Sequence, residues 1–176
     1  MPGAGKSTAA EAIATLGFAI VNMGDVIREE TQKRGLPLTE ESIGSVMLEL
    51  RQRKGPGAVA ELCFSKIESS GSSLVVIDGA RSVDEVEVFR RLSDVKVLAV
   101  HASPRKRYDY LMRRARTDAP LTWQSLVARD NRELRVGLGK IIALSDEVIS
   151  NNDITIRELR SRAKNTAKKW MKRLAG

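Results

Sequence analysis

Gly3-Ala4-Gly5-Lys6-Ser7-Thr8 is the part of this chain whose residue types and spacing are best suited to chemistry. With Met1 and Pro2 in front, it follows the pattern G-x-x-x-x-G-K-[ST] from the second position onward, and the pattern wants a glycine immediately before Met1. Successive backbone N–H groups in such a loop wrap a polyphosphate. Glycines let the backbone come close, and the helix that follows points its positive end at the anion. Gly3, Ala4, Gly5, Lys6, Ser7 and Thr8 are therefore the expected phosphate-binding set. Lys6 would reach the β and γ phosphates, and Ser7 would ligate magnesium.

A loop of this kind must sit between a buried strand and an amphipathic helix. The helix is legible: Ala9, Ala10, Ile13 and Leu16 recur at helical spacing, and Gly17 reads as the stop. Strands and helices then alternate. Phe18 to Asn22, Ser73 to Ile77, Val95 to His101 and Glu147 to Ser150 read as strands. Helices are expected from Asp25 to Lys33, after Thr39, around Val59 to Ile67, and around Val83 to Phe89. Further helices are expected from Pro104 onward, over much of Thr122 to Leu144, and from Ile156 to Leu174. This alternation predicts an α/β fold, a parallel sheet covered by helices on both faces, with ligands outside the carboxyl ends of the strands. Met23-Gly24-Asp25, Asp78-Gly79-Ala80-Arg81, His101-Ala102-Ser103 and Asn151-Asn152 stand at those ends.

Composition narrows the class. At 176 residues and 42% hydrophobic content the chain can bury one core, so a single domain is expected over 1–176. No apolar run is long enough to span a membrane, and no signal peptide is expected, which indicates a cytoplasmic location. Cys63 stands alone, excluding a disulfide framework or thiol metal site, and reads as a small buried residue. The net charge of +8 fits either a nucleic-acid surface or basic residues converging on small phosphorylated ligands.

Several segments resemble adenylate kinases. Gly24-Asp25-Val26-Ile27-Arg28 is similar to their G-D-x-[IL]-R segment, and Asp78-Gly79-Ala80-Arg81 to their D-G-x-x-R, with the arginine one residue early. Arg113 through Arg116, Asp118 and Pro120 to Arg129, Asp130 and Arg132 resembles the arginine-bearing lid, and Val148-Ile149-Ser150-Asn151 the strand before the adenine contact. Together these resemble an archaeal family of adenylate-kinase-related, dephospho-CoA-kinase-like P-loop NTPases. The resemblance implies a three-layer P-loop kinase fold, with an acceptor-binding helical insert at about 34–70 and a small helical lid at about 105–132. It also implies ATP and Mg2+ as cofactors, and transfer of the γ-phosphoryl group to a nucleoside monophosphate or dephospho-CoA type of acceptor.

The roles follow the same resemblance. Lys6 and the loop amides take the donor phosphates, Ser7 and Asp78 the magnesium side, and Asn151 the nucleotide. Arg113 and Arg116, one helical turn apart, would close over the transferring group. Arg28 and Arg81 would anchor the acceptor. Asp25 would accept the proton of a hydroxyl acceptor, or only orient if the acceptor is a phosphate. Each assignment has a plainer alternative: Asp25 as the cap of the following helix, Asp78 as a turn residue, Arg28 on a solvated face, Arg81 paired with Asp84 or Glu85. Arg105, Lys106 and Arg107 read as surface charges, His101 as a sheet-edge residue, and Trp123 and Trp170 as packing residues.

A different class is a nucleic-acid-associated NTPase or RNA-binding protein. From Arg157 to Arg173 the tail carries eight cations against Glu158 alone, and a basic helix can track phosphates. Its apolar stripe also suffices to dock it on the sheet, and aromatics for base stacking make up only 4% of residues. No Asn-Lys-x-Asp guanine motif is present. Oligomeric state is not legible. In P-loop kinases the strand before the loop lies between the strands that correspond to Ser73–Ile77 and Val95–His101. The expectation is therefore that this central first strand is missing from the chain, that Met1 is an internal methionine of the loop, and that two unpaired edges face each other in the sheet.

Overall fold

The computed structural model describes residues 1–114 and 122–174. Among them are four short strands and ten helices in the expected order. The first half comprises α1 (Lys6–Ala14), β1 (Ala19–Asn22), α2 (Met23–Lys33), α3 (Glu40–Lys54), α4 (Ala58–Leu62), α5 (Phe64–Ser69) and β2 (Val75–Asp78). The second half comprises α6 (Val83–Arg90), β3 (Leu98–His101), α7 (Pro104–Arg114), α8 (Trp123–Val136), α9 (Leu138–Ala143), β4 (Glu147–Ser150) and α10 (Ile156–Leu174).

Local chemistry sets the boundaries. Thr39 caps α3 by accepting from the Ser42 amide, and Ser82 with Glu85 forms a reciprocal capping box at α6. The helical stretch expected over Thr122 to Leu144 is two helices. Gly137 stands between them at φ 120, a conformation that an L side chain resists. Cys63 separates α4 from α5 and is fully buried; its thiol donates to the Val59 carbonyl. Burial pushes that thiol up to about 12, so it is an inert core residue.

All strand pairing is parallel, but it falls into two separate pairs. β1 pairs with β2 in the register Ala19↔Val75 to Asn22↔Asp78, and β3 pairs with β4 from Leu98↔Glu147 to His101↔Ser150. β2 and β3 do not pair with each other. The single sheet anticipated from the alternation is thus two half-sheets, and an apolar cleft of about 660 Å³ separates them. The expected facing edges are present.

Helices cover both halves. The β1–β2 half packs its core with α2, α3, α4 and α6, burying Val21, Ile27, Val46, Val59 and Phe89 among others. α1 and α10 close the other half, where Ile13, Val100, Ile149, Leu159 and Ala163 meet. α10 is amphipathic as expected: Leu159, Ala163 and Ala167 are buried, while the cations around them face outward. No helix among the described residues is long and apolar enough to cross a membrane.

Candidate functional site

The opening loop folds as its glycines require. Gly3 and Gly5 adopt φ 77 and 100, and the loop closes with the Ala4 amide donating to the Met1 carbonyl. The loop is packed from behind. A Cβ on Gly3 would stand 2.8 Å from Leu111 Cγ and 2.9 Å from the Arg107 carbonyl, and one on Gly5 would stand 2.8 Å from Asn151 Nδ2. Both positions therefore exclude a side chain on spatial grounds as well as conformational ones. Two side chains from elsewhere hold the loop carbonyls: Asn151 Nδ2 donates to Ala4 at 3.1 Å and Arg107 to Pro2 at 3.2 Å.

Helix α1 starts at Lys6, with its amino end on this loop. The Lys6 ammonium donates to the Met1 carbonyl at 3.1 Å. Although the residue as a whole is only partly buried, desolvation of the ammonium lowers its pKa, opposed by Asp78 and reinforced by Arg81. Ser7, one residue on, donates to Asp78 Oδ2 at 2.8 Å. Asn22, at the end of β1, donates to the same oxygen at 3.1 Å. The register that pairs Asn22 with Asp78 is what brings both strand ends to Ser7. A hydroxyl and a carboxylate thus meet beside Lys6, and their oxygens suit a hard cation such as Mg2+, while the Asn22 carboxamide donates to the carboxylate from the side. Thr8 completes the motif and is half-buried.

Asp25 is not the helix cap that one sequence alternative offered. Asn22 caps α2, accepting from the amides of Gly24 and Asp25 through its side-chain oxygen. This frees Asp25, in the first helical turn, to pair with Arg28 at 2.7 Å in an exposed position. The carboxylate is available to solvent there and steers the guanidinium beside it.

Arg81 pairs with neither Asp84 nor Glu85 through its guanidinium. It donates from Nε to Glu133 on α8 at 2.7 Å and from a terminal nitrogen to the Gly79 carbonyl. Glu85 instead accepts from the Arg81 backbone amide and from Arg51 on α3. Glu133 is 5% exposed, and its charge partly opposes the lowering that burial imposes on the Lys6 pKa. The carboxylate thus sits within a cationic surround where an anionic ligand could compete for Arg81.

Arg107 corrects the surface reading of 105–107: it is 2% exposed. Helical geometry explains this, because Arg105 and Lys106 point outward and make long pairs with Asp109 and Asp153, while Arg107 turns inward. Its guanidinium grips both oxygens of Asp130 on α8 and donates to the carbonyls of Ala102 and Pro2. A bidentate carboxylate pair of this kind fixes orientation as well as charge. α8 is consequently a hub: Asp130 binds Arg107, Glu133 binds Arg81, and Arg132 reaches Glu40 of α3.

The remaining expectations divide. Asn151 is buried against the loop, where its amide supports the Ala4 carbonyl. Arg113 is exposed on α7. Arg116 lies outside the described residues, as do Asp118 and Pro120. The part of Asn22 could have been read from its place between a strand and Gly24, and Ser82-x-x-Glu85 is a visible capping signature. Nothing local marks Arg107 and Asp130, which are far apart in sequence and meet only through packing.

Comparison with known proteins agrees with this geometry. The chain is 46% identical over 158 residues to a UPF0200 protein of Pyrococcus abyssi, covering 87% of this chain and 84% of the relative. It is 45% identical over 157 residues to one of Thermococcus kodakarensis, covering 86% and 85%, and 42% identical over 164 residues to one of Hyperthermus butylicus, covering 93% and 88%. An unliganded sugar kinase from Janibacter sp. HTCC2649 superposes with a TM-score of 0.55 at 21% identity, over 97% of this chain and 89% of that one, a likeness of fold. A family model described as an AAA domain matches residues 1–127. The P-loop, the parallel α/β framework and these relatives together show that the chain belongs to the UPF0200 family and carries an AAA-type P-loop domain whose fold is similar to that of a kinase.

Proposed function

We propose that this protein is an ATP-dependent phosphotransferase acting on a nucleotide or nucleotide-like acceptor. The carrying observation is the hydrogen bond from Ser7 to Asp78 beside Lys6, which joins the loop to the end of β2. Phosphoryl transfer asks a protein for positioning and charge neutralisation more than for covalent help. The loop amides from Gly3 to Thr8 and the Lys6 ammonium hold the donor phosphates. Ser7 and Asp78 would hold Mg2+, which neutralises phosphate charge when bound. The bond from the γ-phosphorus to the ADP oxygen breaks as the acceptor oxygen bonds to that phosphorus, and ADP leaves.

On this reading the acceptor lies between Arg28 and Arg81, covered by the insert at 34–70. The Asp25–Arg28 pair supports Asp25 as the group that orients Arg28 toward an acceptor phosphate. For a hydroxyl acceptor, Asp25 takes the proton instead. An arriving anion displaces Glu133 from Arg81. Arg113 and Arg116 come from the lid at 105–132. Asn151 serves the nucleotide indirectly, by shaping the loop. Nucleoside monophosphates and dephospho-CoA are the acceptors to try.

The test is a phosphotransfer screen with ATP, Mg2+ and those acceptors, run on this chain and on the same chain extended upstream of Met1. Acceptor-dependent ADP formation at least 100-fold above a Lys6→Ala control is expected. If no acceptor gives turnover above that control in either form, the kinase reading fails. The exposed cations of α10, including Arg157, Arg160, Lys168 and Lys172, support a second reading, nucleic-acid association. Salt-dependent RNA binding that survives Lys6→Ala would favour it.

A further inference from the structure

Asn22 is bonded at both ends of its side chain, and capping α2 uses only one of them. The side-chain oxygen accepts from the amides of Gly24 at 2.8 Å and Asp25 at 3.2 Å, which is the cap. Serine, threonine or aspartate would serve there as well. A carboxamide differs from all three in holding an acceptor and an N–H donor on separate atoms of one rigid plane. The donor end is in use: Nδ2 donates to Asp78 Oδ2 at 3.1 Å. The cap thus explains a polar residue at this position, and Asp78 explains why it is asparagine.

With both ends held, the carboxamide cannot turn without breaking a bond at the strand end or at the helix start. The β1–β2 register sets Asn22 directly beside Asp78. Gly24 keeps the arrangement clear, since a Cβ there would stand 3.0 Å from Asn22 Oδ1 and 3.4 Å from Arg28 Nη1. Asp78 is buried, and its hydrogen bonds among the described residues come from Ser7 and Asn22, both onto Oδ2. Two donors on one oxygen fix the orientation of the carboxylate and leave Oδ1 for a cation. With Ser7 alone, a single bond would let the group swing. The same carboxamide also fixes the start of α2, the helix that carries Asp25 and Arg28.

We propose that Asn22 is a positioning residue for Mg2+: it holds the Asp78 carboxylate in the orientation that receives the cation, and it acts only through that carboxylate. This rests on the assignment of Mg2+ to Ser7 and Asp78 but not on phosphoryl transfer, because ATP binding reports it without an acceptor. Partners that orient a metal ligand in this way are worth about 10- to 100-fold in metal affinity.

Calorimetric titration of ATP in EDTA and over a range of Mg2+ concentrations tests it, alongside thermal unfolding. Asn22→Ser keeps a capping oxygen and removes the carboxamide, Asn22→Ala removes both, and Thr39→Ala removes only the cap of α3. Asn22→Ser is expected to raise the Mg2+ concentration that gives half of the gain in ATP affinity by about 10-fold or more, with a much smaller change in EDTA. Asn22→Ala should do the same and also lower Tm, whereas Thr39→Ala should lower Tm and leave the Mg2+ response unchanged. Adding Asn22→Ser to Asp78→Asn should weaken the Mg2+ response no further, since the first acts through the second. Where Asn22→Ala does not fold, Asn22→Ser and its combination with Asp78→Asn carry the test. An unchanged Mg2+ response in Asn22→Ser reduces the residue to a helix cap and overturns the proposal. Equal losses with and without Mg2+ overturn it as well, as does a parent chain whose ATP binding ignores Mg2+. Failure of every acceptor in the phosphotransfer screen, with the Asn22-dependent Mg2+ response intact, refutes the kinase reading and leaves this proposal standing.

Discussion

Arg107→Ala should be among the most damaging single substitutions outside the phosphate loop. The guanidinium is 2% exposed and makes four hydrogen bonds: two to Asp130 at 2.8 and 2.5 Å, one to the Ala102 carbonyl at 3.1 Å and one to the Pro2 carbonyl at 3.2 Å. Truncation leaves the Asp130 carboxylate without its counter-charge in a site of limited solvent access. Breaking a buried pair by removing one partner costs about 3–5 kcal/mol, against a total stability on the order of 5–15 kcal/mol for a domain. In a chain of this size the loss corresponds to a fall in Tm of roughly 6–20 °C. Urea and thermal unfolding followed by circular dichroism measure it directly. The double substitution Arg107→Met with Asp130→Leu removes both charges together and should recover most of the loss, a coupling that a double-mutant cycle reads out. A cost below about 1 kcal/mol for Arg107→Ala would refute the reasoning, because that is the range of solvent-exposed pairs. The double substitution should still weaken ATP binding, since the Pro2 carbonyl loses its support.

Gly5→Ala places a Cβ 2.8 Å from Asn151 Nδ2 at φ 100 and should cost about 1–3 kcal/mol together with at least 10-fold in ATP affinity by calorimetry, whereas Gly71→Ala, at φ 60 in open space, should leave that affinity unchanged. Asp78→Asn should retain ATP binding in EDTA but lose the gain that Mg2+ confers, as measured by titration with and without the cation. For the unextended chain, burial first, then Lys6 and Arg107, push the Met1 amine down to about 5 from 8.0, with Glu133 and Asp130 opposing. The unfolded chain then binds more protons than the folded one between those values, so stability rises with pH from about 5 to 8 by up to about 4 kcal/mol. Nα-acetylation should flatten that part of the pH–stability profile; an unchanged profile would show that the amine is not desolvated.

Legibility of the fold followed sequence range. Apolar runs such as Phe18–Asn22 and the helical spacing of Leu159, Ala163 and Ala167 report local burial, and the elements formed where they indicated. The breaks at Cys63 and Gly137 are hidden in the sequence, because a buried cysteine fits a helical pattern and a glycine within one reads as tolerated until its φ is known. The site divides in the same way. Gly3 through Thr8 is one contiguous motif that acts through its backbone, so it could be read directly. Arg107, by contrast, looks like one of three adjacent surface charges, and only the inward turn of α7 separates it from Arg105 and Lys106.

Sequence alone was enough to establish a phosphate-binding loop, an alternation of strands and helices, and polar residues waiting at the strand ends, because each of these is encoded in neighbours along the chain. Tertiary structure decided which of those residues meet. The parallel register of β1 on β2 brings Asn22 and Asp78 to Ser7, and α8 takes Arg81 and Arg107 through Glu133 and Asp130. Pairings across such separations depend on how elements pack, and no local pattern records them. The facing edges of β2 and β3 are the same lesson on the scale of the sheet: a strand's own residues say that it is buried, while only its neighbours in space say which edge is left open.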